Sequence, residues 1–130
     1  FDLAKQLNAL VCGTENKSEK LLGYFTRFGD SASDLEPISH FYKTQIYQLA
    51  KYLNIPDEII DQSPTAGLWN GQTDENDFGF TYEEADQVLY FYNDKKQKLA
   101  EIKKLGFKNS ENIIKKMESN QFKQKTPYSL

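Results

Sequence analysis

Cysteine is almost missing from these 130 residues, and the single Cys12 excludes both an intrachain disulfide and a multi-cysteine metal centre. Its position in the apolar run Leu10-Val11-Cys12 predicts a buried small hydrophobe rather than a reactive thiol. Histidine is equally scarce. His40, next to Ser39 at an expected helix start, reads as a solvent-facing or capping residue and not as a general base. No apolar run approaches the roughly 20 residues that a membrane helix needs, and no basic-apolar-small leader pattern opens the chain. The expectation is a soluble, cytoplasmic protein. Neither a GxxxxGK[ST] loop nor a GxGxxG turn occurs, and there is no internal repeat, low-complexity tract or Ser-Gly-Gly.

What is present suits one globular unit: 38% of the residues are hydrophobic and 14% aromatic, well away from a disordered composition. The net charge of −3 conceals an asymmetry, because residues 95–125 carry ten lysines against Glu101, Glu111 and Glu118. Those lysines alternate with apolar residues at helical spacing and lack the aromatic interleaving of single-strand binders. They read as a solvated helical face, and no nucleic-acid partner is expected.

Leu3, Leu7 and Leu10 repeat at helical spacing and lead into the apolar run Ala9–Cys12, which predicts a helix feeding a buried strand. The strand's neighbours are expected to lie outside these residues, since an unpaired buried strand is costly. From Thr14 to Asp34 the chain is polar and punctuated by Gly23 and Gly29, the pattern of a binding loop holding a short helix. Ser39 is placed to cap a helix from about His40 to Leu53, with Ile46, Leu49, Ala50 and Leu53 on one face. Asp57–Asp61 adds one turn, and residues 65–79 read as loop. Thr81 and Glu84 fit a capping box opening a helix to about Tyr92. Further helices are expected over Lys95–Leu105 and after Asn109 or Ser110, the last with Ile113, Ile114 and Met117 inward.

Gly13-Thr14-Glu15-Asn16-Lys17-Ser18-Glu19 directly follows the strand, where open α/β sheets bind ligands. Thr14 offers a hydroxyl there, and Glu19 a hard oxygen suited to Mg²⁺. Four further motifs follow in order: Gly23-Tyr24-Phe25-Thr26-Arg27-Phe28-Gly29-Asp30; Pro37-Ile38 with Tyr42-Lys43-Thr44-Gln45; Ser63-Pro64-Thr65-Ala66-Gly67-Leu68-Trp69; and Gly71-Gln72-Thr73-Asp74-Glu75. Taken together these residues resemble the NAD synthetase family, and the resemblance covers essentially the whole chain.

That resemblance implies an α/β fold, part of a doubly wound parallel-sheet adenine-nucleotide α-hydrolase-like architecture, this portion being mainly helical with one clear strand. It implies that residues 1–130 form the C-terminal portion of a single domain whose SGGxDS-type pyrophosphate loop lies upstream of Phe1. The implied activity is ATP-dependent amidation of deamido-NAD to NAD through an adenylate, with Mg²⁺, with ammonia as co-substrate, and in a homodimer. By motif, Thr14, Lys43 and Thr65 should contact ATP, with Lys43 also acting in catalysis, and Glu19 should ligate Mg²⁺. Arg27, Asp34 and Lys123 should meet deamido-NAD. Asp30 would order its loop or bind beside Asp34. Three departures stand out: Arg27 replaces a lysine, Gly67 an aspartate, and Phe122 the histidine of a His-Lys-Arg-x-x-Pro tail. The competing readings are a non-catalytic helical interaction module with a basic end, and another ligase of the same ATP pyrophosphatase type.

Overall fold

Tyr82, Ala85, Asp86, Val88 and Leu89 recur at the three- and four-residue spacing that lines one face of a helix. In the computed structural model, which describes residues 1–125, all five are buried on a single helix. This helix organises the rest. In chain order the helices are α1 (Asp2–Leu7), α2 (Lys17–Leu22), α3 (Lys43–Tyr52), α4 (Asp57–Ile60), α5 (Asp74–Phe78), α6 (Tyr82–Leu89), α7 (Leu99–Lys103) and α8 (Ser110–Ser119). Helices α2, α3 and α8 pack on α6, and the core gathers Leu22, Tyr42, Phe80, Val88, Ile102 and Ile113 about it. Burial of each such side chain contributes roughly 1.5–3 kcal/mol. No helix among the described residues is long and apolar enough to cross a membrane.

Thr81 caps α6 as its sequence predicts, its hydroxyl accepting from Glu84 N at 3.3 Å. Glu84 does not close the box. Its carboxylate instead accepts from Asn109 N at 2.7 Å and Asn109 Nδ2 at 2.8 Å, which pins the start of α8 to α6. Ile113, Ile114 and Met117 are buried as expected. The expected helix over Lys95–Leu105 is corrected to α7 alone. After Leu89 the chain widens into a π-helical turn, Tyr90–Asp94, and Lys96 takes a left-handed φ of 56°, which ends it. Helix resumes where Lys98 N donates to Glu101 Oε2 at 2.9 Å. The π turn brings Asp94 to Lys17 Nζ at 2.6 Å and to Tyr42 OH at 3.1 Å, contacts that tie α2 and α3 to the end of α6. Helix α3 begins at Lys43, three residues after the expected His40; residues 37–40 form a turn in which Ser39 Oγ donates to Glu36 O. His40 is exposed, as its sequence context predicts.

The expected strand is the larger correction. Among the described residues β-structure is one parallel bridge, Cys12 to Leu35, supported by Gly13 N to Leu35 O at 2.8 Å and Asp34 N to Val11 O at 2.9 Å. One neighbour of the strand thus comes from within the chain. Cys12 is exposed rather than buried, and Leu10 is 68% exposed. A strand buries the residues on whichever face another element covers, and no described element covers this one. Leu3 and Leu7 of α1 are exposed for the same reason. Gly13 sits where a Cβ would come within 2.7 Å of Ser33 Oγ, so glycine lets residues 33–35 run alongside the bridge.

Candidate active site

Helix α2 is short and well specified. Asn16 Oδ1 accepts from Glu19 N at 3.1 Å, and Glu19 Oε2 accepts from Asn16 N at 3.1 Å: a capping box that satisfies two otherwise orphaned donors. Gly23 ends the helix with a φ of 67°. A Cβ on it would collide with Asn120, so a side chain is excluded on both counts. Fixed in this way, Glu19 turns its second oxygen toward α3, where Oε1 receives Lys43 Nζ at 3.2 Å. Both side chains are largely shielded.

Glu19, Lys43 and Thr65, three residues that the motifs assign to metal and nucleotide, line one pocket of about 180 Å³ together with Tyr24, Asp30 and Asp74. Thr65 is held in a local turn in which its hydroxyl accepts from Gly67 N at 3.0 Å. Gly67 has a φ of 66°, a conformation that suits glycine better than the aspartate it replaces. Thr14 is exposed just after the bridge and is not among the residues lining this pocket.

Asp34 and Lys123 meet elsewhere. They line a second, polar pocket of about 360 Å³ with Glu15, Lys20, Ser31 and Glu36. One oxygen of Asp34 accepts from Val11 N at 2.8 Å. Lys123 Nζ donates to Gly23 O at 2.7 Å and Phe25 O at 3.0 Å, which fastens the end of the chain to the segment after α2. With Phe25, Lys123 also borders a third, more apolar pocket of about 590 Å³ that includes Leu68 and Trp69. Arg27 is half-buried, with its guanidinium 5.5 Å from the Phe28 ring. Asp30 accepts from Thr26 N at 2.8 Å and so orders its own loop. The remainder of the tail motif, Thr126-Pro127, lies outside the described residues.

Three acids escaped the reading of the sequence. Asp86 lies on the buried face of α6, where its Oδ2 accepts from Thr44 N and Thr44 Oγ1, both at 2.8 Å, and its Oδ1 accepts from Ser18 Oγ at 2.5 Å. Ser18 Oγ in turn accepts from Lys43 N at 2.8 Å. Burial pushes the Asp86 pKa up, and the Ser18 and Thr44 hydrogen bonds pull it back. A carboxylate among the apolar positions of a helix was the available signal. Asp74 opens α5, is 4% exposed, and accepts at Oδ2 from Tyr82 OH at 2.9 Å. Its Oδ1 is buried without a hydrogen-bond partner.

Glu15 is the third, at 5% exposed. Its pKa is pushed from 4.5 up to about 7, first by burial and then by the neighbouring Glu36, against the pull of Ser31 and Lys20. Between pH 4.5 and about 7 the folded protein therefore holds a proton that the unfolded chain has released. Its contribution to stability is complete below the lower value and lost as pH rises through the upper one. In the full-length protein Glu15→Gln is expected to flatten that decline and to be more stable by about 1–2 kcal/mol at alkaline pH, allowing for solvent screening. Urea unfolding at mildly acidic and at alkaline pH checks this, and an undiminished pH dependence in the variant would place the titration elsewhere.

These features can be set beside known proteins. A family model described as NAD synthase matches residues 1–127. The chain belongs to the NAD synthase family. It is 46% identical over 129 residues to the NH(3)-dependent NAD(+) synthetase of Fusobacterium nucleatum, an alignment covering 98% of this chain and 50% of that protein. Among solved structures, an NMN synthetase from Francisella tularensis superposes with a TM-score of 0.79 at 37% identity, covering 99% of this chain and 50% of that one. The NH3-dependent NAD synthetase from Campylobacter jejuni, solved with a nitrate ion, gives 0.74 at 36%, covering 99% and 48%. The fold is thus that of NAD synthetases, the adenine-nucleotide α-hydrolase-like architecture, of which the described residues supply a mainly helical part. The chain spans about half the length of the curated relatives it matches.

Proposed function

We propose that these residues are the C-terminal portion of a single-domain, ammonia-dependent NAD synthetase that works as a cytoplasmic homodimer. The observation that carries this reading is the convergence of Glu19, Lys43 and Thr65 on one pocket, with Glu19 and Lys43 paired at 3.2 Å. A carboxylate is a poor electrophile, so amidation needs activation. A carboxylate oxygen of deamido-NAD bonds to the α-phosphorus of ATP as pyrophosphate departs. Ammonia then bonds to the acyl carbon, AMP leaves and a proton is released.

The chain's own residues have distinct tasks in this scheme. Lys43 pairs with phosphate oxygens and offsets charge that grows as pyrophosphate leaves. Glu19 meanwhile holds this lysine at the pocket wall, and Thr65 and Thr14 supply hydroxyls to ATP. Asp34, Arg27 and Lys123 orient deamido-NAD, Arg27 through a forked guanidinium where a lysine would present a point charge. Mg²⁺ fits the pocket's chemistry, since Glu19 is a hard oxygen donor and Asp74 Oδ1 is a buried carboxylate oxygen lacking a partner. When bound, the ion would screen phosphate charge beside Glu19. Among the described residues no three acids, histidines or cysteines cluster as a complete metal site, in keeping with the habit of Mg²⁺ of using one or two carboxylates plus phosphates and water.

The full-length protein incubated with ATP, Mg²⁺ and an ammonium salt is expected to convert deamido-NAD to NAD, with AMP and pyrophosphate formed in equal amounts. Formation of ADP, or salt-sensitive nucleic-acid binding without ATP turnover, would sink the proposal. Because one structural relative is an NMN synthetase, the deamidated mononucleotide belongs in the same assay. Its preference over the dinucleotide would redirect the substrate while leaving the ligase chemistry intact.

A further inference from the structure

Three carboxylates line the small pocket; Asp30 is taken up by Thr26 in its own loop, which leaves Glu19 and Asp74. Glu19 comes from the first turn of α2, and Asp74 from the first residue of α5, 55 positions later. Tyr82, at the start of α6, lies close enough to feel the charge of both. Its hydroxyl donates to Asp74 Oδ2 at 2.9 Å. Lys43 Nζ lies 5.4 Å from the centre of the same ring. Among the described residues that line the pocket, the ammonium of Lys43 pairs with Glu19, and Asp74 Oδ1 is buried without a hydrogen-bond partner.

A buried carboxylate oxygen without a partner is costly, and a second carboxylate lining the same pocket adds to that cost. A cation bridging the two would offset both terms. The pocket, of about 180 Å³, has room for an ion that keeps several waters at about 30 Å³ each. That is how Mg²⁺ binds when one or two carboxylates and substrate phosphates share the coordination. We propose that Asp74 is a second protein ligand of the divalent cation assigned to Glu19. The inference rests on the metal-dependent reading above and adds a residue to it. Asp74 then links cation binding to the loop that carries Thr65, because Asp74 N donates to Pro64 O at 2.9 Å. Metal and nucleotide would therefore be held by one continuous segment, residues 64–74.

The test is a Mn²⁺ titration of the full-length protein, followed by electron paramagnetic resonance with and without a non-hydrolysable ATP analogue. Asp74→Asn keeps the size and the acceptor for Tyr82 but removes the charge, and it is expected to weaken Mn²⁺ at least about tenfold. Glu19→Gln should do the same. Glu83→Gln, on the exposed side of α6, should bind as wild type does. If Glu19→Gln weakens Mn²⁺ and Asp74→Asn does not, the role of Asp74 is refuted while the proposed function stands. If neither variant changes Mn²⁺ affinity, the metal assignment of Glu19 falls as well. An Asp74→Asn enzyme with unaltered Mn²⁺ affinity but a raised KM for ammonium would also overturn the proposal, by making the oxygen an ammonium acceptor. Should Asp74→Asn fail to fold, Asp74→Ser in the same titration decides by the same two outcomes.

Discussion

Lys43→Ala in the full-length protein is expected to lower turnover at saturating substrate by about 10²–10³-fold and to weaken ATP as well. The expectation follows from where the amine sits. Helix α3 starts at Lys43 itself, with the backbone N–H held by Ser18 Oγ and the ammonium held by Glu19. The charge is thereby pre-positioned at the pocket that Thr65 also lines, and little reorganisation is needed when phosphates arrive. Without it, the charge accumulating on departing pyrophosphate meets Glu19 with no counterion. Arg27 should fail differently, because it is absent from the lining of that pocket. Arg27→Ala is expected mainly to raise the KM for deamido-NAD, by roughly 1.5–3 kcal/mol if a charged hydrogen bond is lost, and Arg27→Lys to retain most activity. Steady-state kinetics with each substrate varied in turn distinguishes the two. A Lys43→Ala enzyme impaired only toward deamido-NAD, or an Arg27→Ala enzyme impaired only toward ATP, would refute the division of roles.

The second large effect concerns a residue that touches no substrate. Asp86→Ala is expected to destabilise the full-length protein by about 3–5 kcal/mol, since removing a buried acceptor leaves several donors unpaired at once. Those donors are Ser18 Oγ, Thr44 N and Thr44 Oγ1. They belong to α2 and α3, the helices that carry Glu19 and Lys43, so Asp86 acts as a positioning residue that sets the spacing of the ion pair. Asp86→Asn keeps the shape but aims an amide at one of the donors and should cost about half as much. Denaturant unfolding measures the loss, and a change below about 1 kcal/mol for Asp86→Ala would show that the helices are held by apolar packing alone. In the surviving fraction of the Asp86→Asn enzyme, a fall in kcat with an unchanged KM for deamido-NAD would report displacement of Lys43 rather than of the dinucleotide pocket.

Much of this arrangement is legible in the residues alone. The Thr81 cap, the inward Ile113, Ile114 and Met117, the exposure of His40 and the short helix within the Thr14–Asp34 loop are set by neighbours three or four positions away, and such neighbours are visible in a string of letters. The ordered motifs from Gly13 to Glu75 identified the family for a related reason: a binding segment keeps its residue types at fixed spacing. Other features were out of reach. Glu19 reads as a metal ligand, but its pairing with Lys43 depends on a helix 24 residues away. Lys95–Leu105 has helical composition, yet the π turn that brings Asp94 to Lys17 and Tyr42 breaks it.

By itself, then, the sequence determined where most helices lie, which of their faces are apolar, and to which family the motifs belong, because each of these rests on short-range periodicity and local hydrogen bonding. Tertiary structure alone decided that Lys123 donates to the carbonyls of Gly23 and Phe25 and that Asp86 joins α2 to α3. It also decided that Asp74 faces the pocket of Glu19 with an oxygen to spare. The physical reason is common to all of them. The partner of a buried polar group, and the cover over an apolar one, are chosen by whichever distant segment packs against it, and no local pattern encodes that choice.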